Sequence, residues 1–220
     1  MSPSFINEIP QILKYHITPS VSDYQFCKEL SEQAQKFNKQ AKIHIEIDTG
    51  MGRSGFILKS NLINKIEIIR ELKGTKIQGI FSHFPTSENR FARFSLIQIR
   101  KFKVIIRKLG RMGIEFPLIH MANSGAVLNY PDSYFNLVRI GLLSYGEFPE
   151  GKIFNNKINV QPIMSFKTRV ILIKKVKKGD SISYGRTYIY KKPSQFAIIP
   201  IGYGDGYKFL LSNKGGVLIR

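Results

Sequence analysis

The chain has 220 residues, 43% of them hydrophobic, which is enough to bury one large core or two smaller ones and excludes disorder by composition. Cys27 is the only cysteine, and the four histidines lack ligand spacing, so a disulfide framework and a cysteine-rich zinc site are excluded and no metal is expected. The formal net charge of +19, from 34 Lys+Arg against 15 Asp+Glu, raises nucleic acid or an anionic small molecule as a partner.

In chain order, residues 19–22 predict a short strand, 23–37 an amphipathic helix and 42–48 a second strand. That strand runs into Ile47-Asp48-Thr49-Gly50-Met51-Gly52-Arg53-Ser54-Gly55-Phe56. Gly50, Gly52 and Gly55 can adopt positive φ, and Arg53 offers a planar, permanently charged fork of donors suited to a phenolate, carboxylate or phosphate. Read alone, the same stretch is equally a glycine-rich turn with a solvated arginine. The alternation continues with a helix over 62–72, a strand over 77–83, a long amphipathic helix over 91–109, and strands over 118–122 and 137–140.

Strands alternating with helices imply parallel β-α units, as in a doubly wound sheet or a barrel. Arg53, His83, Asn123 with Ser124, and Arg139 each fall at or just beyond the end of an expected strand. A (β/α) barrel assembles its site there, which favours the barrel.

Residues 148–161, rich in Asn, Gly and Pro, read as a linker between a first domain, 1–147, and a second, 162–220. Beyond it the helical period stops. Strands are expected over 163–176, 181–184 and 196–200, joined by Lys-Gly-Asp and Lys-Pro-Ser turns, and 216–220 read as a strand in progress. The basic run 174–178 reads as a solvated surface. Taken singly, His83 and His120 are ordinary strand-end histidines, Tyr184 a surface tyrosine, and Tyr203 with Asp205 the shapers of a turn.

Together and in order, these segments resemble the fold-type III pyridoxal-phosphate alanine racemases. The match runs through Ile-Asp-Thr-Gly-Met-Gly-Arg (47–53), Gly-Ile-Phe-Ser-His-Phe (79–84), His-Met-Ala-Asn-Ser (120–124) and Val-Arg-Ile-Gly (138–141). It continues through Ser-Tyr-Gly-Arg-Thr-Tyr (183–188) and Ile-Pro-Ile-Gly-Tyr-Gly-Asp-Gly-Tyr (199–207). The resemblance implies an α/β fold, an incomplete (β/α) TIM-type barrel of about the last five strands, followed by part of an all-β domain. It implies interconversion of L- and D-alanine, supplying D-alanine for peptidoglycan, with pyridoxal phosphate as cofactor.

The same resemblance implies roles. Tyr184 would be one of two bases, with His83 hydrogen-bonded to it and Arg139 contacting both His83 and the pyridine nitrogen. His120 would buttress Arg139. Arg53 would hold the cofactor's phenolic oxygen and the substrate carboxylate, while Ser124 with the amides of Gly141 and Leu142 would hold the phosphate. Tyr203 would line the substrate entrance. Because the family's tyrosine base comes from the partner subunit, a homodimer is implied, with alanine or a related small amino acid as ligand.

The family's covalent anchor lies in a segment resembling Val-Lys-Ala-Asn-Ala-Tyr-Gly, which residues 1–220 do not contain, and no lysine here, Lys42 included, stands in its context. The expectation is therefore a truncated or split racemase with little or no activity alone. The alternatives are a non-catalytic remnant that complements a missing fragment, or a racemase for another amino acid. The amino terminus lacks the order of a signal peptide, and no run is long enough to span a bilayer, so a cytoplasmic protein without membrane partners is expected. With no RNA-binding-sheet, zinc-finger or helix-turn-helix pattern, nucleic-acid binding is kept only as an alternative.

Overall fold

The computed structural model describes residues 3–59, 61–149 and 158–219, and the chain divides into two compact units, 1–163 and 164–220. The first unit contains α1 (Ile9–Lys14), β1 (Ser20–Val21), α2 (Tyr24–Lys36), β2 (Ala41–Asp48), β3 (Phe56–Ile57) and α3 (Leu62–Arg70). It continues with β4 (Thr75–Phe81), α4 (Arg93–Arg111), β5 (Leu118–His120) and α5 (Ser124–Asn129). The strands form one parallel sheet in the order β1-β2-β4-β5, with β3 paired to the end of β2.

The alternation in β2 sorts its side chains. Ile43, Ile45 and Ile47 are buried and join a core with Phe26, Cys27 and Leu30 of α2, Ile66 and Ile69 of α3, and Phe102 and Leu109 of α4. With a period of two, His44, Glu46 and Asp48 share the opposite face. Pairing of His44 with Gly79, Glu46 with Phe81, and Phe81 with His120 adds those residues to the same face. One side of the sheet is thus an apolar seat for helices, and the other carries ionisable groups.

Local chemistry sets the helix starts. Asp23 caps α2 by accepting the Phe26 N–H at 2.8 Å, and Asn123 caps α5 by accepting the Ala126 N–H at 3.0 Å. The short α1, begun by Pro10, α5 and the two-residue β3 carry too few periods to register in the sequence.

The strand expected over 137–140 does not form: Leu137 makes a single parallel bridge to His120. The Asn136 amide explains this, because its Oδ1 accepts the Ile119 N–H at 2.7 Å and its Nδ2 donates to the Pro117 carbonyl at 2.8 Å. A side chain has taken ladder positions at the edge of β5. Arg139 is nevertheless fixed nearby, its N–H donating to the Ala122 carbonyl at 2.9 Å.

The second unit contains β6 (Leu172–Val176), β7 (Ser181–Ile182), β8 (Tyr188–Ile189) and β9 (Ser194–Ile198), paired antiparallel as β6-β9 and β7-β8. The strand expected from residue 163 begins only at Leu172. Residues 164–170 are exposed and lie in no described ladder, and only Ile171, whose N–H donates to the Ile198 carbonyl at 2.9 Å, reaches the end of the β6-β9 pair. Ser183, at φ 61°, ends β7 early, and residues 216–219 are irregular rather than extended in a ladder. Lys174 and Lys175 are exposed, as a solvated surface requires. Of the expected linker, residues 150–157 lie outside the described residues. Among the described residues no helix is long and apolar enough to cross a membrane.

Candidate active site

Three segments leave the carboxyl ends of β2, β4 and β5, and each brings polar groups with it. After β2, the Asp48 carboxylate accepts the N–H groups of Gly50 at 2.8 Å and Gly52 at 3.1 Å, folding the turn back on itself. Gly55 has φ 103°, and a Cβ there would stand 2.8 Å from the Asp48 nitrogen, so a glycine is required for the chain to return as β3. Arg53, at the tip, is exposed and has no hydrogen-bond or ion-pair partner among the described residues.

After β4 comes half-buried His83, and at the end of β5 stands His120, 2% exposed. Arg139 joins them. One guanidinium nitrogen, Nη1, donates to His120 Nδ1; the other, Nη2, donates to the Ser82 carbonyl at 2.9 Å and to His83 Nδ1 at 3.3 Å. The guanidinium also lies 5.1 Å over the Phe81 ring, on which His120 stacks at 5.0 Å.

A guanidinium can only donate, so both histidines must accept at Nδ1 and carry their protons on Nε2. For His120 that proton points at His44 Nδ1, 2.8 Å away, which fixes the His44 tautomer in turn. Burial, followed by the charges of Arg139 and Arg53, pushes His83 down to about 4. Burial, Arg139 and His44 push His120 down to about 3. Both rings are therefore neutral at neutral pH. Burial also lowers Arg139, to about 10, opposed by the attraction of Glu46 and assisted by the repulsion of Arg53, so it stays cationic. Glu46 is 2% exposed and accepts from the Ser22 hydroxyl at 3.1 Å.

Ser124, opening α5, accepts the N–H groups of Gly141 at 2.9 Å and Leu143 at 3.3 Å. The second amide on Ser124 is thus that of Leu143, while Leu142 is exposed beside it. Among the described residues nothing lies within 4 Å of the position a Cβ would take at Gly141, which leaves open space along that backbone.

Of the residues expected from the sequence, His83, His120 and Arg139 are joined directly, Ser124 and Gly141 form a second small cluster, and Arg53 acts on His83 and Arg139 through its charge. Tyr184 and Tyr203 belong to the second unit, where they are 93% and 77% exposed. His44 and Glu46 were not singled out in the sequence. Their signal is the alternation with Ile43, Ile45 and Ile47, which puts them on the face that leads to the strand-end residues.

Residues 3–149 match the family model described as alanine racemase, N-terminal domain, and residues 163–220 the one described as alanine racemase, C-terminal domain. The chain is 41% identical over 207 residues to an alanine racemase of Clostridium tetani, covering 94% of this chain and 54% of that protein. A Clostridium perfringens alanine racemase is 39% identical over 215 residues, covering 98% and 56%. The chain spans about half the length of the curated relatives it matches. Among solved structures, an alanine racemase of Clostridium difficile 630 superposes with a TM-score of 0.88 at 29% identity, over 93% of this chain and 53% of that one. A histidine racemase from Leuconostoc mesenteroides gives 0.85 at 25%, over 94% and 55%.

Proposed function

The chain belongs to the alanine racemase family, and on that premise we propose that its site serves the pyridoxal-phosphate-dependent interconversion of L- and D-alanine. The fold is the family's own, a TIM-barrel-like domain followed by a β domain.

The residues present fit the cofactor. The open space beside Gly141 has room for a phosphate, and the Ser124 hydroxyl, which accepts the Gly141 N–H, keeps its own proton to donate. Arg53, without a hydrogen-bond or ion-pair partner among the described residues, has a fork to offer the phenolic oxygen and a substrate carboxylate. Arg139 can donate to a pyridine nitrogen, which as a guanidinium it cannot protonate. Bound there, the cofactor would supply an electron sink that acidifies the α-proton of an amino acid.

The chain's own residues handle the proton. Tyr184 accepts it, and since a phenol has an unperturbed pKa of about 10 it needs stabilisation as phenolate. His83 is suited to that: Arg139 occupies its Nδ1, so its Nε2–H is left to donate. Tyr184, almost wholly exposed in the second unit, is assigned to the site of a second copy in a homodimer. Tyr203 lines the entrance. The observation that carries this reading is the Arg139 guanidinium shared by His83 and His120.

The test is a D-amino-acid-oxidase-coupled assay on residues 1–220 with pyridoxal phosphate and L-alanine, alone and supplemented with a polypeptide carrying the Val-Lys-Ala-Asn-Ala-Tyr-Gly segment. Little or no turnover is expected alone, turnover in the supplemented sample, and its loss on Tyr184→Phe. Turnover in neither sample refutes the reading. A second reading, the same chemistry on another amino acid, is favoured by the likeness to a histidine racemase. Competition between alanine and histidine in the same assay distinguishes the two.

A further inference from the structure

Gln98, on α4, is far from the family motifs in sequence, yet it reaches the ends of two strands. Its Nε2 donates to the His83 carbonyl at 3.1 Å and to the Thr49 hydroxyl at 3.3 Å, and Thr49 Oγ1 is 2.7 Å from Ser82 Oγ. Gln98 and Ser82 are wholly buried, and Thr49 is 1% exposed. The Ser82-His83 dipeptide is therefore held twice. Arg139 takes the Ser82 carbonyl and the His83 ring, while Gln98 takes the His83 carbonyl and, through Thr49, the Ser82 hydroxyl.

Two further observations show that this end of α4 is built against the site. Phe94, one turn before Gln98, packs so closely on Gly50 that a Cβ at that glycine would stand 2.6 Å from its ring. Gln98 Oε1 is buried and has no hydrogen-bond partner among the described residues. An unpaired buried acceptor is costly, and an apolar side chain of similar volume would avoid that cost. The amide thus satisfies the His83 carbonyl and the Thr49 hydroxyl while leaving its own oxygen unpaired.

We propose that Gln98 is a positioning residue whose amide fixes the backbone of His83, together with Thr49, so that His83 Nδ1 stays on Arg139 and its Nε2–H stays directed outward. The proposal rests on the reading of His83 as a functional group. Among the described residues, the charges that act on His83 are those of Arg139 and Arg53, and both are unchanged by a substitution at position 98.

The experiment follows the ring nitrogens of the four histidines by ¹⁵N NMR in the full 220-residue chain, in wild type, Gln98→Leu and Gln98→Met, alongside thermal unfolding. With His83 held near 4, wild type should keep a neutral ring across the range from neutrality down to mildly acid pH. In a folded variant the loosened contact should raise the His83 midpoint by on the order of one unit, bringing partial protonation into that range, with melting temperature lowered by no more than the loss of these hydrogen bonds explains. A His83 titration identical to wild type in a folded variant overturns the proposal. So does failure of both variants to fold, which would make Gln98 a stability residue. The titration needs no ligand, so failure of pyridoxal phosphate to bind wild type falls on the functional reading, whereas an unmoved His83 falls on Gln98.

Discussion

Acidification should destabilise the first unit in a way that can be traced to single histidines. His83 and His120 are held at about 4 and about 3, against 6.5 for an unperturbed ring. The sign follows from proton uptake: between 6.5 and the depressed values the unfolded chain binds protons that the folded chain refuses. The stability is thus fully present above about 6.5 and is lost as pH falls toward the folded values. Between about pH 7 and about pH 5 His120 should cost about 2 kcal/mol, and the half-buried His83, screened by solvent, about 1 kcal/mol. Urea unfolding of the 220-residue chain at both pH values measures the difference, and His120→Gln and His83→Gln separate the contributions. Each variant should be less stable near neutrality, yet lose less than wild type on acidification, by about 2 kcal/mol for His120→Gln and about 1 kcal/mol for His83→Gln. If either single variant keeps the full pH difference, the reasoning about that buried neutral ring is wrong.

Gly55→Ala combines φ 103° with a 2.8 Å approach to the Asp48 nitrogen and should cost about 3 kcal/mol of unfolding free energy in the same urea assay. Ser124→Ala removes the acceptor of two N–H groups and should weaken pyridoxal phosphate binding, followed by fluorescence, by ~10-fold, while unfolding loses about 1 kcal/mol. Cys27 is wholly buried, and burial pushes its thiol up to about 12, so an aromatic disulfide reagent should label it only at the rate at which the native unit opens. Rapid labelling of native protein would contradict that placement.

The parts legible in the sequence were those carried by local pattern. The 3.6-residue period of α2 and α4, the two-residue period of β2 and the placement of polar groups at strand ends all follow from spacing alone. Gly50, Gly52 and Gly55 do adopt the positive φ their identity allows. What escaped depends on partners distant in the chain. The strand expected at 137–140 was displaced by a side-chain amide competing for backbone groups, and 164–170 has strand composition but lies in no described ladder. His44, Glu46 and Gln98 were illegible for a related reason. Whether a polar side chain on a strand or helix faces water or a catalytic neighbour is decided by how the elements pair, and no window of local sequence contains that.

The alternation along β2 makes its registration against β4 a single point of failure. The ladder shifts once, between Ile43 and His44, and from there His44 meets Gly79, where any side chain would collide with the imidazole. Slipping β2 by one position would exchange the isoleucine row with His44, Glu46 and Asp48, driving three ionisable groups into the helix-packed layer and unmaking the histidine chain in the same step. Misfolded and folded-but-inert populations therefore cannot be separated along this strand. A chain that pairs β2 with β4 and β4 with β5 in these registers has already brought His44 to His120, so proofreading of the fold is proofreading of the chemistry.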